Sequence, residues 1–308
     1  MRVTLLGPQR QTETAQAAVD ELLPTGAIAT INAGWRERES ETGEIDRVMG
    51  GRMRNLRLWQ RWREVQDQDP EYAAAERRQR ELLAEQQSLY GLRLQPAIAA
   101  LSAVERRAEI PAVQQPAVAD AVRAVQRLDA WHTEAVANIR AAFYATVRLG
   151  ERPVVARHRA EVAELVADAA GFVIAGGHVG ALLQAMHVFN LGPLLRPPII
   201  AWSAGAMALS ERIVLFNDFA PYGLAVPEVY AEGFPAAKGI QPFPHPERRL
   251  RLTDHDHLRR MAERFAPQQC VLLDPGVRID VDDTFDGGST VTGTARVIAP
   301  DGSLRALS

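Results

Sequence analysis

A serine at the end of an apolar run is the residue in this chain whose position most clearly suggests chemistry. Residues 198–209 begin with an apolar run rich in β-branched side chains, reach Ser203, and continue at once as an Ala-rich stretch that favours a helix. This order is typical of a nucleophile elbow, a sharp strand-to-helix turn that holds a serine hydroxyl above the edge of a sheet. The usual pattern is G-x-S-x-G, and here Ala201 stands at the first glycine position and Gly205 at the second. A buried strand and helix with an incidental serine would give the same pattern.

A serine nucleophile needs a general base within hydrogen-bond reach, and the base needs an acid that orients it. His245 is the best placed of the seven histidines, because it lies downstream of the elbow on a loop between two prolines that restrict the backbone. Asp218 follows a short predicted strand after the elbow helix, where a carboxylate could reach back to the imidazole. Glu228 is the next candidate for the acid. A loop histidine fixed only for turn geometry is the structural alternative.

An acyl-transfer site also needs two convergent backbone N–H groups to hold the oxyanion. Ala204 follows the nucleophile and supplies one of them, and the turn at Gly176 and Gly177, after a neighbouring predicted strand, could supply the other. The same turn continues through His178 into a helix and could hold a phosphate instead. It lacks the G-x-G-x-x-G spacing and the acidic partner of a dinucleotide site, so we do not predict one.

Two acidic stretches contain residue types that bind metals, but neither predicts a metal site. Residues 254–257 read Asp-His-Asp-His, yet two histidines two positions apart at a helix start face different directions. Thr253 as an N-cap with acids in the first turn explains that stretch. The second stretch is similar to a calcium loop without its terminal glutamate, and a hairpin turn explains it better; its aspartates are Asp280, Asp282, Asp283 and Asp286.

The elements predicted around these residues form an α/β domain interrupted by a helical block. Residues 1–34 read as strand, helix and strand, and the alternation resumes over residues 151–308, which predicts a doubly wound, mostly parallel sheet. Residues 35–150 carry apolar side chains at helical spacing, which predicts about three long helices with breaks near Asp69-Pro70 and between Pro111 and Pro116. We interpret this block as an insertion.

The helical block has two properties that bear on partners. Its charges alternate in sign, which indicates solvated faces rather than a binding patch. Its apolar stripes also contain tryptophan and methionine side chains that are too apolar to remain exposed to water, and a homodimer interface commonly buries such side chains. These residues are Met49, Met53, Trp59, Trp62 and Trp131. We therefore predict a homo-oligomer whose interface is made largely by the insertion.

Composition narrows the class of protein. The formal charge of −3 over 308 residues gives no reason to expect a nucleic acid or an anionic membrane as a partner. No stretch approaches the roughly 20 apolar residues of a membrane span, and the apolar start of the chain is too short for a signal peptide. Cys270 is the single cysteine, which excludes an intrachain disulfide and fits a reducing compartment. We predict a cytoplasmic protein.

Four motifs together resemble the serine peptidases typified by dipeptidase E (α-aspartyl dipeptidase) and cyanophycinase. The first is the elbow at Ser203, preceded by the Gly176-Gly177 turn. The second is Asp218, which follows Ser203 by 15 positions. The third and fourth are Phe-Pro-His at residues 243–245 and Leu-Asp-Pro-Gly at residues 273–276. The resemblance covers residues 1–33 weakly and about 155–300 well, and it does not cover the helical block.

The resemblance implies a class I glutamine amidotransferase-like fold in which serine stands where the amidotransferases carry cysteine. It implies that Ser203 is the nucleophile, His245 the base and Asp218 the acid, with no metal or organic cofactor. The chain departs from the family at His178, where Asn or Asp is common, and at Pro275, where an acid is usual. These departures concern the substrate side, to which we assign Gly176 and His178.

The expected function is therefore hydrolysis of a peptide or isopeptide amide bond. Two other interpretations stay open on the sequence. One is a non-catalytic binding or scaffold protein that acts through its helical insertion. The other is a glutaminase-type amidase.

Overall fold

A mixed seven-stranded sheet lies at the centre of the fold. In the computed structural model, which describes residues 2–10, 13–107, 110–220, 226–283 and 289–307, five of its strands are parallel. These are β1 (Arg2–Leu6), β2 (Ile28–Ile31), β3 (Met53–Asn55), β4 (Gly171–Ile174) and β5 (Ile199–Trp202). The antiparallel strands β10 (Arg278–Asp283) and β11 (Ser289–Gly293) extend one edge, so that the order is β11-β10-β1-β5-β4-β2-β3. The predicted α/β class is confirmed, with a mixed sheet.

Helices cover both faces of this sheet, because its parallel strands are apolar on both sides. On one face α1 (Ala15–Leu22) and α2 (Gly43–Val48) pack against side chains such as Val173 and Ile200. On the other face lie α3 (Leu58–Gln68), α6 (Pro153–Ala167), α7 (Val179–Val188) and α8 (Ala204–Ala208), against side chains such as Phe172 and Ile199. The site described below lies where the parallel strands end.

Smaller strands and helices complete the C-terminal part of the chain. A four-stranded sheet has the order β13-β12-β9-β8, and β6 pairs with β7 in a separate two-stranded sheet. Their bounds are β6 (Arg212–Leu215), β7 (Glu228–Glu232), β8 (Ile240–Pro244), β9 (Gln269–Leu273), β12 (Arg296–Ile298) and β13 (Leu304–Ala306), with helices α9 (Pro246–Arg249) and α10 (His255–Phe265). No helix among the described residues is both long enough and apolar enough to cross a membrane.

Most of the predicted insertion is one long helical hairpin of α4 (Pro70–Glu105) and α5 (Pro111–Val147). The predicted break at Asp69-Pro70 is confirmed, since the Asp69 side chain accepts a hydrogen bond from the N–H of Tyr72 and Pro70 begins the helix. Pro116 lies inside α5 and not in a break. Residues 53–55 of the block differ from the prediction, because β3 pairs with β2 in the central sheet. This edge strand is only half buried and has no apolar run to reveal it.

A buried carboxylate ties the base of the hairpin to the sheet domain. Glu76 on α4 is fully buried and accepts hydrogen bonds from four neutral donors. Trp62 Nε1 and Tyr72 Oη donate at 2.7 and 2.8 Å, Gln66 Nε2 at 2.6 Å, and Gln184 Nε2 from α7 at 2.8 Å. Because both of its oxygens accept hydrogen bonds, the carboxylate can remain buried without a cationic partner.

A second buried network ties the middle of the hairpin to α10 and β7. Arg264 donates to Asp129 from Nε at 2.7 Å and from Nη2 at 2.8 Å, and it donates to the Tyr90 hydroxyl at 2.8 Å. Tyr90 in turn donates to Asp129 at 2.6 Å and accepts from the N–H of Val229 at 3.2 Å. Arg264 Nη1 donates to the carbonyl of Pro227 at 2.6 Å. The hairpin is thus fixed against the C-terminal half of the chain, close to the elbow region.

Candidate active site

Ser203 has a strained backbone at the turn between β5 and α8. Its φ of 52° and ψ of −119° lie in a region that non-glycine residues rarely adopt. The turn brings Gly205 so close to β4 that a Cβ there would lie 2.3 Å from the carbonyl oxygen of Ile174. Glycine at this position is therefore required by packing, as the elbow pattern predicts. The strain is held by a well-packed strand and helix on either side of the serine.

The structure brings Ser203 and His245 together. The Ser203 Oγ lies 3.2 Å from the Nε2 of His245, within hydrogen-bond distance. His245 follows β8 in the left-handed conformation, with φ of 58°, and immediately precedes α9, whose first residue is Pro246. Its N–H lies 3.4 Å from the carbonyl oxygen of Leu273 on the neighbouring strand β9. The proline that follows fixes where α9 begins, and so where the imidazole leaves the backbone.

The surroundings of His245 favour its neutral form. Partial burial lowers the pKa of the imidazole below its ordinary value of 6.5, and the positive charges of Arg249, Arg248 and Arg10 lower it further. Near neutral pH the ring is therefore unprotonated and can accept a proton from the serine hydroxyl. The motif patterns did not single out these arginines. Their positions in the chain were nevertheless visible, because Arg248 and Arg249 follow Pro-His-Pro within three positions and Arg10 lies in the turn after β1.

Asp218 is not in hydrogen-bond contact with His245. Its carboxylate is buried and turned toward other partners: Oδ2 accepts from the N–H of Arg251 at 2.8 Å and lies 3.1 Å from Nε2 of His257. The Asp218 N–H donates to the carbonyl of Arg249 at 2.8 Å. The spacing from Ser203 predicted that Asp218 contacts the base. The direction of its side chain depends on how α9 and α10 pack beside it, and residue spacing does not reveal that packing.

Two further acids, Glu228 and Asp274, are also bonded to other side chains. Glu228, our second candidate, accepts from Gln87 of α4 at 2.8 Å. Asp274, which follows β9, accepts two hydrogen bonds from Arg296 at 2.9 and 2.8 Å. In the part of the chain that the structure describes, no carboxylate is hydrogen-bonded to the Nδ1 of His245. The observed geometry is that of a serine–histidine pair.

The glycine turn lies directly beside the nucleophile. Since β4 and β5 are parallel neighbours, Gly176 and Gly177 end up next to Ser203, and a Cβ on Gly176 would lie 2.8 Å from the Ser203 Cβ. Gly177 has φ of 118°, and a Cβ there would lie 2.4 Å from the carbonyl oxygen of Gly34. No other residue fits this turn without displacing the backbone. Gly34, which follows β2, is a part of the site that the sequence did not reveal.

Some of the hydrogen-bonding groups around this turn already have a partner in the described part of the chain, and others do not. The N–H of His178 donates to the Gly34 carbonyl at 2.7 Å, and the Nδ1 of His178 accepts from the N–H of Ala181 at 3.1 Å as the N-cap of α7. Ala204 is the first residue of α8, so its N–H has no acceptor within that helix. The N–H of Gly177 donates to no carbonyl among the described residues. The predicted oxyanion donors are therefore available for a ligand.

The two acidic stretches that contain metal-binding residue types make other contacts, as far as the structure describes them. Asp254, and not Thr253, caps α10, because its side chain accepts from the N–H of His257 at 2.9 Å. Asp280 bonds to Thr4 and pairs with Arg278, whereas Asp286 lies outside the described residues. Within the described ranges, no group of three or more His, Cys, Asp or Glu side chains is placed to hold a metal ion.

An open cavity of about 720 Å³ lies beside α9 and includes neither Ser203 nor His245 in its lining. Phe219, Glu247, Leu250 and residues 251–256 form its walls. It therefore reaches the segment that follows the base, and not the nucleophile itself.

Comparison with known proteins adds no family assignment, because no known family model matches the chain and no curated protein matches it. The resemblance to the dipeptidase E and cyanophycinase peptidases therefore rests on the motif residues alone.

Proposed function

We propose that this protein is a serine hydrolase that transfers an acyl group from an amide to water. The observation that carries the proposal is the strained Ser203, whose Oγ lies 3.2 Å from the Nε2 of His245. A buried strand followed by a helix does not need a non-glycine residue at φ of 52°, and strain of this kind concentrates at functional sites. A neutral imidazole within reach of the hydroxyl supplies the base that a serine nucleophile requires.

The proposed reaction uses only groups in the chain and a water molecule. His245 Nε2 takes the Ser203 proton as Oγ attacks the carbonyl carbon, and the N–H groups of Gly177 and Ala204 stabilise the oxyanion. The tetrahedral intermediate then expels the amine, which receives the proton from His245, and an acyl ester remains on Ser203. Water then adds to the ester as His245 takes its proton, and the second tetrahedral intermediate expels the Ser203 Oγ, which receives that proton from His245 as the acid is released.

The arrangement of the sheet supports the finer assignment to a class I glutamine amidotransferase-like fold. Ser203 follows β5 between two parallel neighbours, and the glycine turn follows the adjacent β4. Ligands of α/β sheets bind outside the carboxyl ends of the strands, which is where these groups lie. Following the resemblance, we assign a peptide or isopeptide amide as substrate, with Gly176 and His178 on the substrate side.

Covalent labelling by a fluorophosphonate tests the proposal directly. We expect the wild-type protein to be labelled and the Ser203→Ala variant to show no labelling, because the probe forms its bond with the activated hydroxyl. The site of attachment is read by peptide mass spectrometry. Ser210→Ala is a matched control, since the hydroxyl of Ser210 is buried and lies within hydrogen-bond distance of two backbone carbonyls. Equal labelling of wild type and Ser203→Ala would refute Ser203 as the nucleophile and point to another activated residue, whereas a wild-type protein that is not labelled would favour the non-catalytic scaffold.

We also propose a homo-oligomer in which a second copy covers part of the helical hairpin. The chain itself already buries some of the side chains on which the prediction relied, because Met49 and Trp62 pack inside. Most of the large apolar side chains that remain exposed among the described residues lie on the hairpin, where Leu89 is 44%, Leu92 69% and Trp131 36% exposed. Exposed apolar side chains grouped on one element often mark an interface.

Light scattering coupled to size-exclusion chromatography tests the oligomer. We expect the mass of a dimer or larger assembly at micromolar concentration, and a monomer for the Leu89→Glu/Leu92→Glu variant, because two buried charges would oppose association. Ala84→Glu adds a charge at another exposed position of α4 and should leave the mass unchanged. A wild-type monomer would contradict the proposed oligomer.

A further inference from the structure

Asp218 is bonded on three sides to the segment that follows His245. Its N–H donates to the carbonyl of Arg249 at 2.8 Å, its Oδ2 accepts from the N–H of Arg251 at 2.8 Å, and its carbonyl accepts from Arg251 Nη2 at 3.2 Å. The side chain is 3% exposed. Asp218 therefore joins the segment after β6 to the end of α9.

The segment that receives these bonds is the one that holds the imidazole in place. His245 is in the left-handed conformation, which persists in a non-glycine residue only where the surroundings fix it. On one side β8 is fixed by its pairing with β9. On the other side α9 has only four residues, too few to be a stable helix without outside contacts. The bonds from Asp218 are contacts of this kind, and they hold the end of the α9 turn at Arg249 and Arg251.

We propose that Asp218 is a positioning residue that holds the α9 turn, and through it the imidazole of His245, against Ser203. The inference rests on the proposed function in one respect, that His245 is the base. It differs from the relay role expected from the resemblance, because Asp218 acts through the backbone of Arg249 and Arg251 and not through a bond to the imidazole. His257 at 3.1 Å is the titratable group that faces its carboxylate.

The two roles predict different results for Asp218→Asn. An amide oxygen can still accept from the N–H of Arg251, so a positioning residue is replaced with little loss. A relay acid loses its charge, which lowers the pKa of His245 and cuts turnover severely, by about ten-thousandfold where a serine protease triad has its aspartate replaced in this way. Asp218→Ala keeps the two bonds made by the backbone of Asp218 but removes the side-chain acceptor of the Arg251 N–H, so the end of the α9 turn loosens and the imidazole gains contact with water.

The charged groups around His245 set the direction of its response. Arg248 and Arg249 lie on α9, and Arg10 follows β1. Burial and these three positive charges hold the pKa of His245 down in the intact site. Release of the turn therefore raises that pKa toward its ordinary value, whereas loss of a relay carboxylate would lower it.

Titration of His245 by NMR tests the inference without requiring activity. In protein with isotope-labelled histidine, the His245 signal is assigned by its loss in His245→Gln. We expect its midpoint to stay unchanged in Asp218→Asn and to rise in Asp218→Ala. Fluorophosphonate labelling run in parallel should stay within about threefold of wild type for Asp218→Asn and fall by about tenfold or more for Asp218→Ala.

Asp254→Ala is the matched control, because it removes another carboxylate-to-backbone bond nearby without touching α9. It should leave the His245 midpoint unchanged. A lowered midpoint with a collapse of labelling in Asp218→Asn would overturn the inference and restore the relay role. An unchanged His245 signal in a folded Asp218→Ala would overturn it as well. If the wild-type protein is never labelled, the proposed function fails, while the titration still decides the positioning role.

Discussion

Replacing His245 with glutamine is expected to lower the rate at which a fluorophosphonate labels Ser203 by about a thousandfold or more. Glutamine approximates the reach of the imidazole but cannot accept the serine proton at neutral pH. The Ser203 Oγ, now 3.2 Å from the Nε2 of His245, would keep its proton and remain a weak nucleophile. The second-order labelling rate measures the effect, and circular dichroism shows whether the variant is folded.

His255→Gln is the control for that experiment. His255 lies in the same half of the chain, and its Nδ1 is 3.2 Å from the carbonyl oxygen of Gly302, in a turn that is not part of the site. Its labelling rate should match wild type. Near-normal labelling of His245→Gln would contradict the serine–histidine pair, and another base would then have to activate Ser203.

The same assay has a defined pH dependence in the wild-type protein. Burial, then Arg249, Arg248 and Arg10, place the pKa of His245 below 6.5, so the labelling rate should rise with pH through a midpoint below that value and level off by neutral pH. Activity is lost as the pH falls, because the protonated ring cannot accept the serine proton. Arg248→Gln removes one positive charge and should move the midpoint upward.

The sequence predicted the parts of the site that depend on local geometry. The elbow at Ser203 and the glycine turn at Gly177 were both recognisable because close backbone packing requires small residues, and that requirement is visible in the chain itself. The pairing of Ser203 with His245 followed from position in sequence and from the prolines around the histidine. These features need no knowledge of distant contacts.

The features that the sequence did not reveal depend on tertiary contacts. The side chain of Asp218 points to Arg251 and His257 because α9 and α10 pack beside it, and residue spacing carries no information about that direction. Gly34 contacts the Gly176-Gly177 turn only because β2 and β4 are neighbours in the sheet. The edge strand at Met53–Asn55 is short and polar, so only its pairing with β2 identifies it.

Replacing Arg264 with methionine is expected to destabilise the folded protein by about 3–5 kcal/mol. Burial opposes the charge on Arg264, yet the carboxylate of Asp129 and the hydroxyl of Tyr90 together raise the pKa of the guanidinium. Methionine fills much of the same volume but leaves the carboxylate of Asp129 buried without its cation. The free energy of unfolding, measured by urea denaturation near neutral pH, gives the size of the loss.

The control is a variant that removes the whole network, Arg264→Met/Asp129→Leu/Tyr90→Phe. It leaves no buried charge in the network, so most of the lost stability should return, since apolar replacement of a complete buried ion pair is often neutral or stabilising. These three residues join α4 and α5 to α10, and the network therefore fixes where the hairpin lies against the C-terminal half. If the single and triple variants are equally destabilised, the packing of the aliphatic stems, and not the unpaired carboxylate, sets the stability of this junction.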